Sequence, residues 1–208
     1  MTQAGHRSMM GGKKIPYDAE VEYLRNIGKT QRINTGIVGG PGLRVQTRIA
    51  SFEKVNDKWA ISSFAADARL YVAYQYRSNT DGGYWGGGYG TYFSGTADTG
   101  MAALGVFADL DVQFTDAYQI LTVDGVERAR WAKTNYTGTN VNPLWLFGHS
   151  SSSFECAIGP TKIWMNGVLV RDFIPVRKDG VGYMYDRVSG QLFGNVGTGD
   201  FVVGPDKN

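Results

Sequence analysis

Residues 79–93 place six glycines between positions 82 and 90 and interleave them with Tyr84, Trp85, Tyr89, Tyr92 and Phe93. Glycine opens backbone angles closed to other residues, and aromatic rings offer an apolar face with a polar edge. A sugar can lay its C–H face on such a ring while an amide or carboxylate takes its hydroxyls. On that chemistry Asn79, Asp81, Tyr84, Trp85, Tyr89 and Tyr92 form a candidate glycan- or partner-binding surface. The same composition suits protein contact, as in antibody-like paratopes. It also suits a Gly-kinked strand whose aromatics pack into the core or a neighbouring subunit. The residues alone leave these three readings open. No Gly-Lys-Ser/Thr and no strand–loop–helix context follows, which excludes a phosphate loop.

Other reactive residues are sparse. Asp109 and Asp111 fall on one face of a strand-like stretch, where paired carboxylates could serve hydrolysis or simply meet solvent. His6 and His149 are the only histidines, too few for a His-based zinc site or a Ser-His-Asp triad. His149 precedes Ser150-Ser151-Ser152-Ser153, which reads as a loop. Cys156 is the only cysteine, so no internal disulfide forms, and it reads as a small buried residue. No Asp-rich loop has calcium-ligand spacing. No catalytic residue and no cofactor is expected.

The elements that must hold these residues are strands. Glycine makes up 29 of the 208 residues, and each would cost a helix about 1 kcal/mol. Residues 43–49 alternate strictly, with Leu43, Val45, Thr47 and Ile49 on one face and Arg44, Gln46 and Arg48 on the other. Residues 59–64 and 70–77 are further apolar, aromatic-rich runs. Asp124-Gly125 and Asn166-Gly167 supply the positive φ of tight hairpin turns, and Asp179-Gly180 marks another turn. Residues 183–193 form a further hairpin pattern. Residues 101–107 are ambiguous, with Gly105 favouring a strand over a helical turn. Many short strands with frequent turns predict an all-β, two-sheet antiparallel sandwich over 15–208. Residues 1–14 lack periodicity and read as an irregular N-terminal arm, disordered or docked on a partner.

Charge narrows the partners. The 21 basic and 19 acidic residues are scattered, so no basic stripe for nucleic acid exists. No run of about 18 apolar residues predicts membrane insertion. The first 14 residues lack the apolar segment of a secretory signal.

The C-terminal motifs carry a resemblance. Lys162-Ile163-Trp164 is followed by residues 166–177 (NGVLVRDFIPVR), by 181–195 (VGYMYDRVSGQLFGN) and by Gly197-Thr198-Gly199-Asp200-Phe201. With residues 16–24, 34–37, Phe114-Thr115, 123–125 and 143–148, these resemble a laminin-G-like, concanavalin A-like jelly-roll family encoded by gut bacteria and their bacteriophages. The resemblance covers about 15–208. Arg32 stands where that family usually has an aromatic residue, and Asn34 where it often has Asp. The resemblance implies a sandwich of two curved sheets. It allows a Ca²⁺ at the loop rim, although no motif here supports one. Glycanases of the same fold class use a Glu-x-Asp-x-x-Glu strand; Asp109 and Asp111 stand in such a pattern, but Phe114 replaces the third acid, which counts against hydrolysis.

The expectation is therefore a non-catalytic bacteriophage virion protein (tail, fibre or capsid-decorating) whose lectin-like sandwich adheres to host-surface glycans. Residues 1–14 would dock on other virion proteins, and the assembly would be a homo-oligomer. The alternatives are a purely structural virion component and a carbohydrate-binding module of the bacterial cell surface.

Overall fold

The computed structural model describes residues 15–55, 58–63, 70–76, 82–89, 102–132, 142–149 and 153–207. The expected arm at 1–14 lies outside them. The described residues form two antiparallel sheets and no helix, the all-β sandwich that the strand pattern predicts.

The strands run in chain order. The first nine are β1 (Ala19–Glu20), β2 (Leu24–Arg25), β3 (Ile33–Val38), β4 (Leu43–Ser51), β5 (Lys58–Ser63), β6 (Leu70–Tyr76), β7 (Gly82–Tyr89), β8 (Ala102–Ala103) and β9 (Ala108–Phe114). The remainder are β10 (Tyr118–Val123), β11 (Val126–Ala132), β12 (Pro143–Leu146), β13 (Cys156–Met165), β14 (Val168–Lys178), β15 (Val181–Asp186), β16 (Gln191–Phe193) and β17 (Val202–Val203). The large sheet has the order β11-β10-β9-β4-β13-β14-β15-β16, with β1 on β14, β2 on β13 and β17 on β2. The small sheet has the order β3-β12-β5-β6-β7-β8.

Alternation decides which side chains meet. Leu43, Val45, Thr47 and Ile49 are buried, while Arg44, Gln46 and Arg48 lie on the outer face. Leu121, Val112, Val45 and Ile163 stand opposite one another across four strands and line the inner face of the large sheet. Ile33, Leu146 and Ile61 form the facing row in the small sheet. Each such side chain, once buried, contributes roughly 1.5–3 kcal/mol. Thr47 and Thr161 are buried among these side chains and share an Oγ1–Oγ1 hydrogen bond of 2.8 Å.

The three Asx-Gly turns form as expected: Asp124-Gly125, Asn166-Gly167 and Asp179-Gly180 all have positive φ at both residues. Of residues 101–107, the described residues 102–107 hold the two-residue strand β8, after which the chain turns at Leu104 and Gly105. Pro175 does not lie on an edge strand, the position that its missing N–H suggests. It sits inside β14, paired with Met184 of β15. On the other side its carbonyl accepts from Val21 N at 3.0 Å, where the neighbour of β14 changes from β13 to β1. The absent N–H falls at that junction, so no ladder bond is lost.

An arginine and a buried aspartate lock the C-terminal hairpin: Arg171 Nη1 lies 3.6 Å from Asp186 Oδ2. Asp172 contributes its backbone N–H, which donates to Asp186 Oδ1 at 2.9 Å. Arg171 also donates from Nε to the Thr35 carbonyl at 3.0 Å and lies over the Phe193 ring, which ties the large sheet to β3 of the small one.

Candidate functional site

The described part of the glycine-rich segment is a strand rather than a loop. Residues 82–89 are strand β7, paired with β6 and lying against β10 of the other sheet. Trp85 is 1% exposed and belongs to the hydrophobic core. It is corrected from a surface contact to a core residue, because alternation turns its indole into the space between the sheets. Tyr84 and Tyr89 lie on β7, whereas Asn79, Asp81 and Tyr92 lie outside the described residues.

The other strand-borne polar residues do converge. Thr122, Asp111, Gln46 and Lys162 stand in cross-strand register on β10, β9, β4 and β13. With Arg48 and Asp109 one register further along, they line a groove of about 430 Å³ on the outer face of the large sheet. A smaller hollow of about 280 Å³ continues past Arg44 to Gln113 and Trp164. Arg44 joins the two, its guanidinium lying 5.1 Å from the centre of the Trp164 ring.

Most of the charges in this groove are already engaged. Arg44 holds Asp111 through two parallel bonds, Nε to Oδ1 at 2.9 Å and Nη2 to Oδ2 at 2.5 Å, and Gln46 Nε2 donates to the same carboxylate at 2.9 Å. Its hydrogen bonds to Asp111 raise the Arg44 guanidinium above its ordinary value. Arg48 and Asp109 approach only to 3.9 Å and are exposed, a pairing worth about 0–1 kcal/mol. Lys162 is exposed on the groove floor between Gln46 and Asp172. The groove thus presents an ammonium, amides, a hydroxyl and carboxylates on rigid strands with an indole at one end. That arrangement suits a hydroxyl-rich ligand with an apolar face. It suits acid catalysis poorly, since both oxygens of Asp111 already accept bonds.

The signal for this groove was present in the sequence: the outward Arg44, Gln46 and Arg48 and the pair Asp109 and Asp111. The missing knowledge was that β9, β4 and β13 are neighbours in space although far apart in the chain.

A second cluster lies on the outer face of the small sheet. Leu144 and Leu146 point into the core, so Trp145 between them points outward, opposite Asn34 of β3. Arg32 lies over the Trp145 ring at 5.4 Å. Its backbone is held by the loop after β16: Arg32 N donates to Asn195 Oδ1 at 2.9 Å and its carbonyl accepts from Val196 N at 3.0 Å. After β12 the chain turns through Phe147 and Gly148, both at positive φ, and brings His149 to 5.6 Å from Trp145. Burial first, and the Arg32 charge second, hold the His149 imidazole below its ordinary value. The Arg32 Nε is shielded from water and makes no hydrogen bond, at a cost of about 1–3 kcal/mol.

Cys156 is fully buried, and burial pushes its thiol well above its ordinary value, as suits an inert core residue. Among the described residues no three His, Cys, Asp or Glu side chains converge into a metal site. Among them, too, no helix is long and apolar enough to cross a membrane. The chain matches no protein-family model and no curated protein.

Proposed function

We propose that this chain is a non-catalytic, lectin-like β-sandwich of a bacteriophage virion that holds a host-surface glycan on the outer face of its large sheet. The observation that carries the glycan reading is the groove of about 430 Å³, whose polar side chains come from adjacent rigid strands. Lys162, Gln46 and Thr122 supply donors and acceptors for hydroxyls, and Trp164 supplies an apolar wall. The engaged state of Asp111 favours binding over hydrolysis. The virion reading rests on the C-terminal motifs and their resemblance to the laminin-G-like family of gut bacteriophages.

A glycan array and a whole-cell binding assay test the groove, comparing the wild type with Lys162→Ala and Gln46→Ala. The double variant is expected to lose binding at least tenfold, or about 1.4 kcal/mol. Binding that survives in the double variant places the glycan elsewhere. A wild type that binds no glycan and no host cell removes the adhesin reading and leaves the purely structural virion component. Turnover of a cell-surface polysaccharide that vanished in Asp109→Asn/Asp111→Asn would replace binding with hydrolysis.

A further inference from the structure

We propose that Arg32, braced on the Trp145 indole, is the anion-recognising centre of a second carbohydrate site, one that takes a sugar bearing a carboxylate, a uronic acid. This site lies on the outer face of the small sheet and does not rest on the groove of the large one.

Three observations lead to it. The first is charge without a partner. Among the described residues no carboxylate pairs with Arg32 and no acceptor meets its guanidinium, although its Nε is already closed off from water. The terminal amino groups stay at the surface of this half-buried residue. A partly dehydrated, unneutralised cation gains more from an incoming anion than a fully solvated one. The second is orientation. Stacking on Trp145 at 5.4 Å and anchoring of both backbone groups by the 195–196 loop fix the guanidinium. Its Nη1 and Nη2 edge is then free to take both oxygens of a carboxylate.

The third observation selects a sugar over a bare anion. Asn34 lies two residues along from Arg32, on the same face, and directly opposite Trp145. Its Oδ1 is occupied by the Gly36 N–H at 2.9 Å, which leaves the amide NH₂ to donate. The face therefore offers donors side by side, suited to a carboxylate with a neighbouring ring hydroxyl. A free carboxylate ion would use the arginine alone.

Titration calorimetry of the full chain with digalacturonate, digalactose, sodium acetate and poly-glutamate tests this. The wild type is expected to bind digalacturonate. Arg32→Met, which keeps the aliphatic stem on Trp145, is expected to weaken it at least tenfold. Arg32→Lys is expected to fall between the two, and Asn34→Ala to weaken it about threefold. Digalactose affinity is expected to be the same in the wild type and Arg32→Met. Equal digalacturonate affinity in wild type and Arg32→Met overturns the site. Acetate binding as tight as digalacturonate, or Arg32-dependent binding of poly-glutamate, overturns the assignment to a sugar.

Discussion

Asp186 is a fully buried carboxylate that organises the turn after β15. Its Oδ1 accepts from the backbone of Asp172 and Val188, at 2.9 and 3.1 Å. Its Oδ2 accepts from Ser189 N and Oγ, at 3.2 and 2.7 Å. Arg171 balances the charge. Asp186→Ala strands those donors together with the arginine, so a loss of about 3–5 kcal/mol is expected from urea unfolding. Asp186→Asn keeps the shape and removes the charge, and should cost about 1–3 kcal/mol. Equal unfolding midpoints for the alanine variant and the wild type would remove this lock from the account. His149 gives a second prediction. Its folded value lies below the ordinary 6.5 because of burial and then Arg32. The unfolded chain therefore takes the proton first as pH falls. This part of the stability is full above about 6.5 and is lost as pH drops from there to the folded value. NMR titration should show His149 protonating below 6.5 in the wild type, and somewhat higher in Arg32→Met, where burial alone remains. A wild-type value at or above 6.5 would contradict the packing described around Trp145.

Turns and strand neighbours decide the elements, and two glycines separate the effects. Gly125 and Gly148 have nearly the same φ, 77° and 78°. A methyl group at Gly125 would meet nothing within 4 Å, whereas one at Gly148 would lie 2.3 Å from the Trp59 carbonyl and 2.9 Å from Ser153 Cα. Gly125→Ala should therefore cost only the left-handed backbone term, about 1–2 kcal/mol. Gly148→Ala must also displace backbone, and a loss of roughly 3 kcal/mol or more is expected, since it disturbs the turn that links β12 to β5 through the Gly148 N to Ala60 O bond of 2.8 Å. Thermal unfolding of both variants checks the order, and similar midpoints would refute it. The same contrast explains what could be read in advance. Period-two alternation in β4 and the Asx-Gly turns are local signals, so those elements were legible. Residues 82–89 mix glycines with aromatics without a clean alternation, and only the strand beside them and the sheet facing them turn Trp85 inward. The groove was half legible for the same reason. Its outward side chains announced themselves, but their meeting depends on long-range pairing of β9, β4 and β13.

In the molecule as a whole, the two chain ends of the sandwich close on each other. Strand β17 pairs with β2, and Val21 bridges to Asp206. Glu22 N donates to Pro205 O at 2.9 Å, and Lys207 N to Glu20 O at 2.9 Å. Phe201 stacks on Phe147 at 4.6 Å and so plugs the core from the C-terminal side. Removal of residues 201–208 should uncover that core and cost at least the ~3–5 kcal/mol typical of losing one buried phenylalanine. On the N-terminal side, the first anchors among the described residues are Tyr17, packed on Tyr185 at 5.1 Å, and Asp18, whose N–H donates to Arg177 O at 2.8 Å. Removal of residues 1–14 spares all of them, so unfolding free energy should stay within about 0.5 kcal/mol of the wild type. That difference gives the arm a clean test. If the chain is the virion component proposed above, a form lacking residues 1–14 that unfolds like the wild type yet no longer enters virions assigns those residues to docking. Normal incorporation of that chain would mean that the sandwich itself makes the particle contact, with its two polar faces as the surfaces to examine next.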